Sequence, residues 1–136
     1  MKKVEIQTAD GACEAWEVGG GEGTRLPGVL MYMDAVGVRP SLLAIAQEIA
    51  DRGFLVLVPN LFYRDQGLPI FPYPEKFTRA QLSEELFPRV RPWMEALTAE
   101  LLLNDARAYL DHLRAHAQVA VGRIGVVGYC FGVAHA

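Results

Sequence analysis

Apolar and polar positions along the chain change period several times, and each change marks an element. Val4 to Thr8 alternates with period two, Ala9-Asp10-Gly11 interrupts, and Ala12 to Val18 runs extended again. Two such runs joined through Asp-Gly predict a β-hairpin. After the glycine-rich stretch 19–23, Pro27-Gly28 introduces Val29-Leu30-Met31-Tyr32-Met33, an almost unbroken apolar run that ends at Asp34. A strand covered on both faces reads this way, as in a parallel sheet. From Pro40-Ser41 the period lengthens. Leu42, Leu43, Ile45, Ala46 and Ile49 form the stripe of a helix lying on a sheet, and Gly53 follows where a terminating glycine belongs. Phe54 to Val58 is a second buried run, stopped by Pro59.

Residues 60–76 then lose periodicity and carry Pro69, Pro72 and Pro74 among Phe62, Tyr63, Phe71 and Tyr73. So long a connection inside a compact domain is usually functional, often as a pocket wall. A short helix is expected over roughly Arg79 to Phe87. Pro88 and Pro92 are expected to interrupt, and Trp93 to His116 reads as a long amphipathic helix. Arg123 to Gly128 is a third strand, expected to be buried. The order hairpin, then β-α-β-(loop, α)-β, predicts a three-layer α/β/α domain with a mostly parallel sheet. Neither a repeat nor a shift in composition divides it, so residues 1–136 read as one domain.

Composition narrows the functional classes. Half the residues are hydrophobic and 21% are charged, which is ordinary globular usage. A net charge of −3 and the absence of a basic block argue against nucleic acid or an anionic membrane as partner. No window approaches a transmembrane helix, and Glu5 and Gln7 break up the N-terminal apolar positions that a secretory leader would need. Cys13 and Cys130 are too few for a disulfide framework, so a reducing cytoplasm is the expected setting.

The strongest chemical signal is Gly128-Tyr129-Cys130-Phe131-Gly132, directly after an apolar strand. It has the spacing of the nucleophile elbow, G-x-S-x-G, with cysteine in place of serine. A sharp strand-to-helix turn holds the nucleophile in a strained conformation, so its neighbours two before and two after must be small. The turn points the sulfur to the mouth of the next helix, and the Phe131 N–H becomes a candidate oxyanion donor. A buried structural cysteine is the bland alternative; the place of the motif in the α/β order favours the nucleophile. Cys13, inside the hairpin, reads as a small core residue. His112 and His116 are an i, i+4 pair, but without a third ligand they read as a solvated helix face. No C-x-x-C accompanies Cys130, which argues against a thiol redox protein.

Four segments together resemble the dienelactone hydrolase family: Pro27 to Leu30, Met33 to Val38, Gly53 to Arg64, and Val126 to Gly132. The resemblance implies an α/β-hydrolase fold and a Cys-Asp-His triad in that chain order, with no metal or organic cofactor. It implies opening of enol-lactones or cleavage of related carboxylic esters, so a small lactone or ester is the expected partner. Carried over by position, Cys130 matches the nucleophile, and Asp34 an acidic residue that hydrogen-bonds the resting cysteine. Ala35 matches the second oxyanion donor beside Phe131, and Arg79 a substrate-carboxylate arginine. Two departures stand out. Val133 follows Gly132 where the family usually has a second glycine, and no aspartate and histidine follow the elbow in the triad's places. A domain of this class usually runs to about 200–250 residues. The resemblance therefore makes the chain an incomplete, C-terminally truncated domain, inactive by itself. A non-catalytic module that self-associates into a homo-oligomer through an exposed sheet edge is the alternative.

Overall fold

The computed structural model describes residues 1–21, 23, 25–67 and 77–135, with only the backbone for 133–135. Five strands form one sheet in the order β1-β2-β4-β3-β5. Strands β1 (Lys2–Thr8) and β2 (Gly11–Val18) are the expected hairpin, paired antiparallel with Ile6 opposite Cys13. The turn closes through Thr8, whose hydroxyl donates to the Gly11 carbonyl at 2.8 Å and accepts from the Asp10 N–H at 3.1 Å. Gly11 takes φ 129, a backbone state that a side chain disfavours.

Strands β3 (Gly28–Tyr32) and β4 (Leu55–Pro59) are buried at every residue. Successive strand residues point to opposite faces, so complete burial means that both faces of the sheet are covered there. The covers are helices on either side of a parallel pair. Helix α1 (Pro40–Ala50) packs against β2 and β4 through a buried face that includes Leu42, Leu43, Ala46 and Ala50. Gly53, at φ 94, ends its exit turn by donating to the Ala50 carbonyl. Strand β5 (Gly125–Gly128) joins the free side of β3 in parallel. The family's α/β class is thus met by a mixed sheet, antiparallel at the hairpin and parallel at the centre.

Two expectations need correction. The helical run does not break at the prolines. It continues from Arg79 through a π-helical turn (Gln81–Leu86) into α2 (Phe87–Ala96), with Pro88 in its first turn and Pro92 inside it. Each proline lacks the N–H that would bond back along the run, and the wide π turn just before Pro88 relieves crowding around its ring. The break falls at Leu97-Thr98, and α3 spans Ala99–Ala115. Thr98 caps it by accepting the Leu101 N–H, and Glu100 complements the dipole in the first turn. The third strand is also not buried: β5 is the sheet edge, with Val126 43% exposed.

Helix α3 covers the face to which Cys13 and Glu17 of β2 point. Tyr109 meets the Cys13 thiol at 3.4 Å, and His112 Nε2 lies 2.6 Å from Glu17 Oε1. His112 and His116 are therefore half-buried around an almost fully buried carboxylate and do not form a solvated face. A helix face turned toward a sheet can look polar when a strand supplies an inward-pointing glutamate.

Candidate active site

Residue placement at the elbow follows from β5. Its last residue, Gly128, pairs with Tyr32, so the chain leaves the sheet beside the end of β3. Tyr129 makes the link and a 3-10 helical turn (Cys130–His135) follows, closed at its start by the Gly132 N–H donating to the Tyr129 carbonyl. Cys130 adopts φ 51, and among the described residues it alone of the non-glycine residues has a positive φ. That left-handed state costs an L-residue roughly 1–2 kcal/mol. It leaves the sulfur-bearing residue exposed.

Gly132 explains the second small position of the motif. A Cβ there would stand 2.5 Å from the Met33 carbonyl oxygen and 2.9 Å from that of Tyr32. The backbone after Cys130 is thus pressed against the C-terminal end of β3, which leads directly into Asp34 and Ala35. Phe131, the residue after Cys130, packs its ring 5.7 Å from Phe62, which in turn lies 5.7 Å from Trp93 of α2. The aromatic row ties the elbow to the β4 exit and to the helix across from it.

On the facing side, Asp34 folds the segment after β3 into a tight turn. Its Oδ1 accepts the N–H groups of Val36 (3.0 Å) and Gly37 (3.2 Å). Arg39 adds a two-pronged contact, Nη1 to Oδ1 at 2.7 Å and Nη2 to Oδ2 at 2.9 Å. Ala35 is buried, and among the described residues its N–H has no hydrogen-bond acceptor. No hydrogen bond among the described residues joins Asp34 to Cys130. Arg79 is exposed at the start of the helical run. The stretch 68–76, expected as a pocket wall, and the side chains of Val133 and His135 lie outside the described residues.

A second polar cluster holds the β4 exit in place. Arg64 grips Asp105 of α3 with both terminal nitrogens at 2.8 Å and reaches Asp10 of the hairpin turn. Burial alone would lower the Arg64 pKa, but the hydrogen bonds to Asp105 and Asp10 carry it above its ordinary value. Tyr63 donates to Asp105 Oδ1 at 3.0 Å, and burial pushes its hydroxyl up to about 12. Arg64 is thus a structural arginine, committed to two carboxylates. His116 Nδ1 accepts the Gln118 N–H, so the ring's other nitrogen carries the proton that faces Glu17. Both ring nitrogens are thus engaged, and no group of three ligating side chains suited to a metal occurs among the described residues.

Sequence reasoning missed Arg39, Asp105 and Glu17. Asp34 followed by a glycine three residues on was a legible turn signal. Nothing local announced that Arg39 would close the same turn.

The model of the dienelactone hydrolase family matches residues 17–136. The chain belongs to the dienelactone hydrolase family. The chain is 27% identical over 112 residues to a Bradyrhizobium protein named "Probable 2-oxo-3-(5-oxofuran-2-ylidene)propanoate lactonase", a match covering 82% of this chain and 40% of that protein. Among solved structures it resembles one titled m3DLH, with 26% identity, a TM-score of 0.69, and coverage of 96% of this chain and 50% of the other. It also resembles a dienelactone-hydrolase-like promiscuous phosphotriesterase from metagenomic libraries, with 23% identity, TM-score 0.67, and coverage of 98% and 51%. An esterase of Pyrococcus furiosus shares the fold at 19% identity and TM-score 0.60, over 99% of this chain and 44% of its own. This dienelactone hydrolase family chain thus spans 40–51% of the length of these relatives. No helix of the described residues is long and apolar enough to cross a membrane.

Proposed function

We propose that this chain carries the nucleophile and oxyanion hole of a thiol-dependent hydrolase of small lactones or carboxylic esters. The observation that carries the reading is Cys130 at φ 51, exposed at the end of a parallel strand, with Gly132 pressed onto the carbonyls of β3. A strained, exposed thiol in that place suits attack far better than packing.

In this mechanism the Cys130 sulfur adds to the substrate carbonyl carbon while the C=O electron pair moves onto oxygen. The N–H groups of Phe131 and Ala35 receive that oxyanion. Collapse expels the ester or ring oxygen and leaves a thioester on Cys130, which water then cleaves. Proton transfers fall to a histidine oriented by an aspartate, which the family's chain order puts after the elbow. His112 and His116 do not fill the role, because both face Glu17. The lactonase name of the Bradyrhizobium relative supports a lactone as substrate. Arg79 is assigned to a substrate carboxylate, for which its planar fork is suited. A cytoplasmic setting keeps the thiol reduced.

The test is turnover of p-nitrophenyl acetate and of a dienelactone. The 136-residue chain is assayed beside the same chain joined to the C-terminal half of a family relative. Activity of the joined form should drop at least about a thousandfold in Cys130→Ala. Undiminished turnover by Cys130→Ala would remove the nucleophile assignment. Clear turnover by the 136-residue chain alone would remove the need for a downstream aspartate and histidine.

A further inference from the structure

The carboxylate of Asp34 is saturated by its own turn. Four hydrogen bonds reach it, two from the backbone N–H groups of Val36 and Gly37 and two from Arg39. Arg39 Nη1 also donates to the Gly37 carbonyl at 2.9 Å, so one guanidinium ties both ends of the turn. Both side chains are largely shielded, 17% exposed for Asp34 and 19% for Arg39. A shielded, two-pronged arginine–carboxylate contact is stiff as well as strong. To reach the Cys130 sulfur, Asp34 would have to give up charged contacts at both oxygens. Ala35 lies inside this clamp. The N–H groups of the two residues after it are occupied by Asp34, and its own is not. The residue before Asp34, Met33, offers the carbonyl on which Gly132 rests.

We infer that Asp34 and Arg39 are a positioning pair whose clamp fixes the turn 34–39, holds the Ala35 N–H toward the oxyanion, and keeps Asp34 off the Cys130 thiol. This rests on the reading of Cys130 as nucleophile. It departs from the role that the family resemblance implies for Asp34. Arg39 touches neither substrate nor sulfur; it acts through Asp34 on the backbone.

The experiment uses the 136-residue chain and phenyl trifluoromethyl ketone. The Cys130 thiolate adds to the ketone carbon, the carbonyl electron pair moves onto oxygen, and the resulting hemithioketal is followed by 19F resonance as pH is varied. Oxyanion-hole donors lower the pH at which that oxygen becomes anionic, so the midpoint reads the hole directly. Arg39→Ala and Asp34→Asn should each raise the midpoint by about one pH unit, a tenfold loss of oxyanion stabilisation. Arg39→Lys, which keeps the charge and loses the fork, should fall between them and the unaltered chain. Circular dichroism verifies that each variant is folded; if Arg39→Ala is not, the two milder substitutions decide. An unchanged midpoint in the folded variants would overturn the clamp. So would tenfold faster adduct formation in Asp34→Asn, the result expected if Asp34 restrains the resting thiol. A failure of the unaltered chain to form any adduct would overturn the nucleophile reading, and the clamp's catalytic role with it.

Discussion

The two cysteines of this chain share a side chain and nothing else. Cys13 lies fully buried between the hairpin and α3, its sulfur within 3.5 Å of the Asn60 carbonyl and 3.4 Å of the Tyr109 hydroxyl. Burial pushes its thiol up to about 11, partly offset by the Tyr109 hydrogen bond. Cys130 stands exposed on a left-handed turn at a strand end. One thiol is held protonated by its surroundings and the other is presented to solvent by backbone strain. Exposure is thus written into where the chain bends, and residue type alone does not decide it.

That contrast can be attacked from the backbone first. Gly132→Ala places a methyl group against carbonyl oxygens that cannot move aside, and should cost roughly 2–4 kcal/mol, read as a lowered urea midpoint. Gly125→Ala is the matched control, because its added Cβ would be no nearer than 3.7 Å to Val29. Its effect should stay below about 1 kcal/mol. Equal losses at the two glycines would show that the elbow is not the tight spot.

The buried thiol can be tested by pH. Its folded pKa of about 11 lies above the ordinary value of 9.0, so its contribution is complete below pH 9 and is lost as pH rises through 11. Over that window stability should fall by roughly 2–3 kcal/mol. In Cys13→Ala the early part of the fall should vanish, leaving the later loss due to Tyr63 and Tyr109, whose hydroxyls burial also raises. Chemical denaturation between pH 8 and 11 checks this, and identical slopes in the two proteins would contradict it. The smallest effect belongs to the exposed cysteine. Cys130→Gly removes the side chain from a positive-φ site and should stabilise the fold by about 1 kcal/mol while abolishing adduct formation at that position.

The parts that were legible in the sequence are those where one physical demand dominates. The hairpin followed from alternation around Asp10-Gly11, and β3 and β4 from uninterrupted apolar runs. The sharp turn at Cys130 was legible because such a strand-to-helix bend needs small residues at 128 and 132, a demand visible in one dimension. The helix boundary was not legible, because Pro88 and Pro92 look like breakers, yet the helical run carries Pro88 in the first turn of α2 and Pro92 inside it. Thr98 with Glu100 was the truer marker. Arg39 on Asp34, Arg64 on Asp105 and His112 on Glu17 share a different difficulty. Each joins long side chains whose meeting depends on the finished fold, and no spacing rule encodes it.

The close seating of Gly132 on the end of β3 has a further consequence for how this scaffold can change. The turn at Cys130 and the turn at Asp34 share one close-packed seam, so neither tolerates independent drift. Under the proposed function, variation in substrate is expected to come from the surroundings, such as the row through Phe62 and Trp93, where rings can be exchanged without disturbing the seam. A mutational search for new substrates would be expected to leave residues 128–132 untouched and to find its gains along α2.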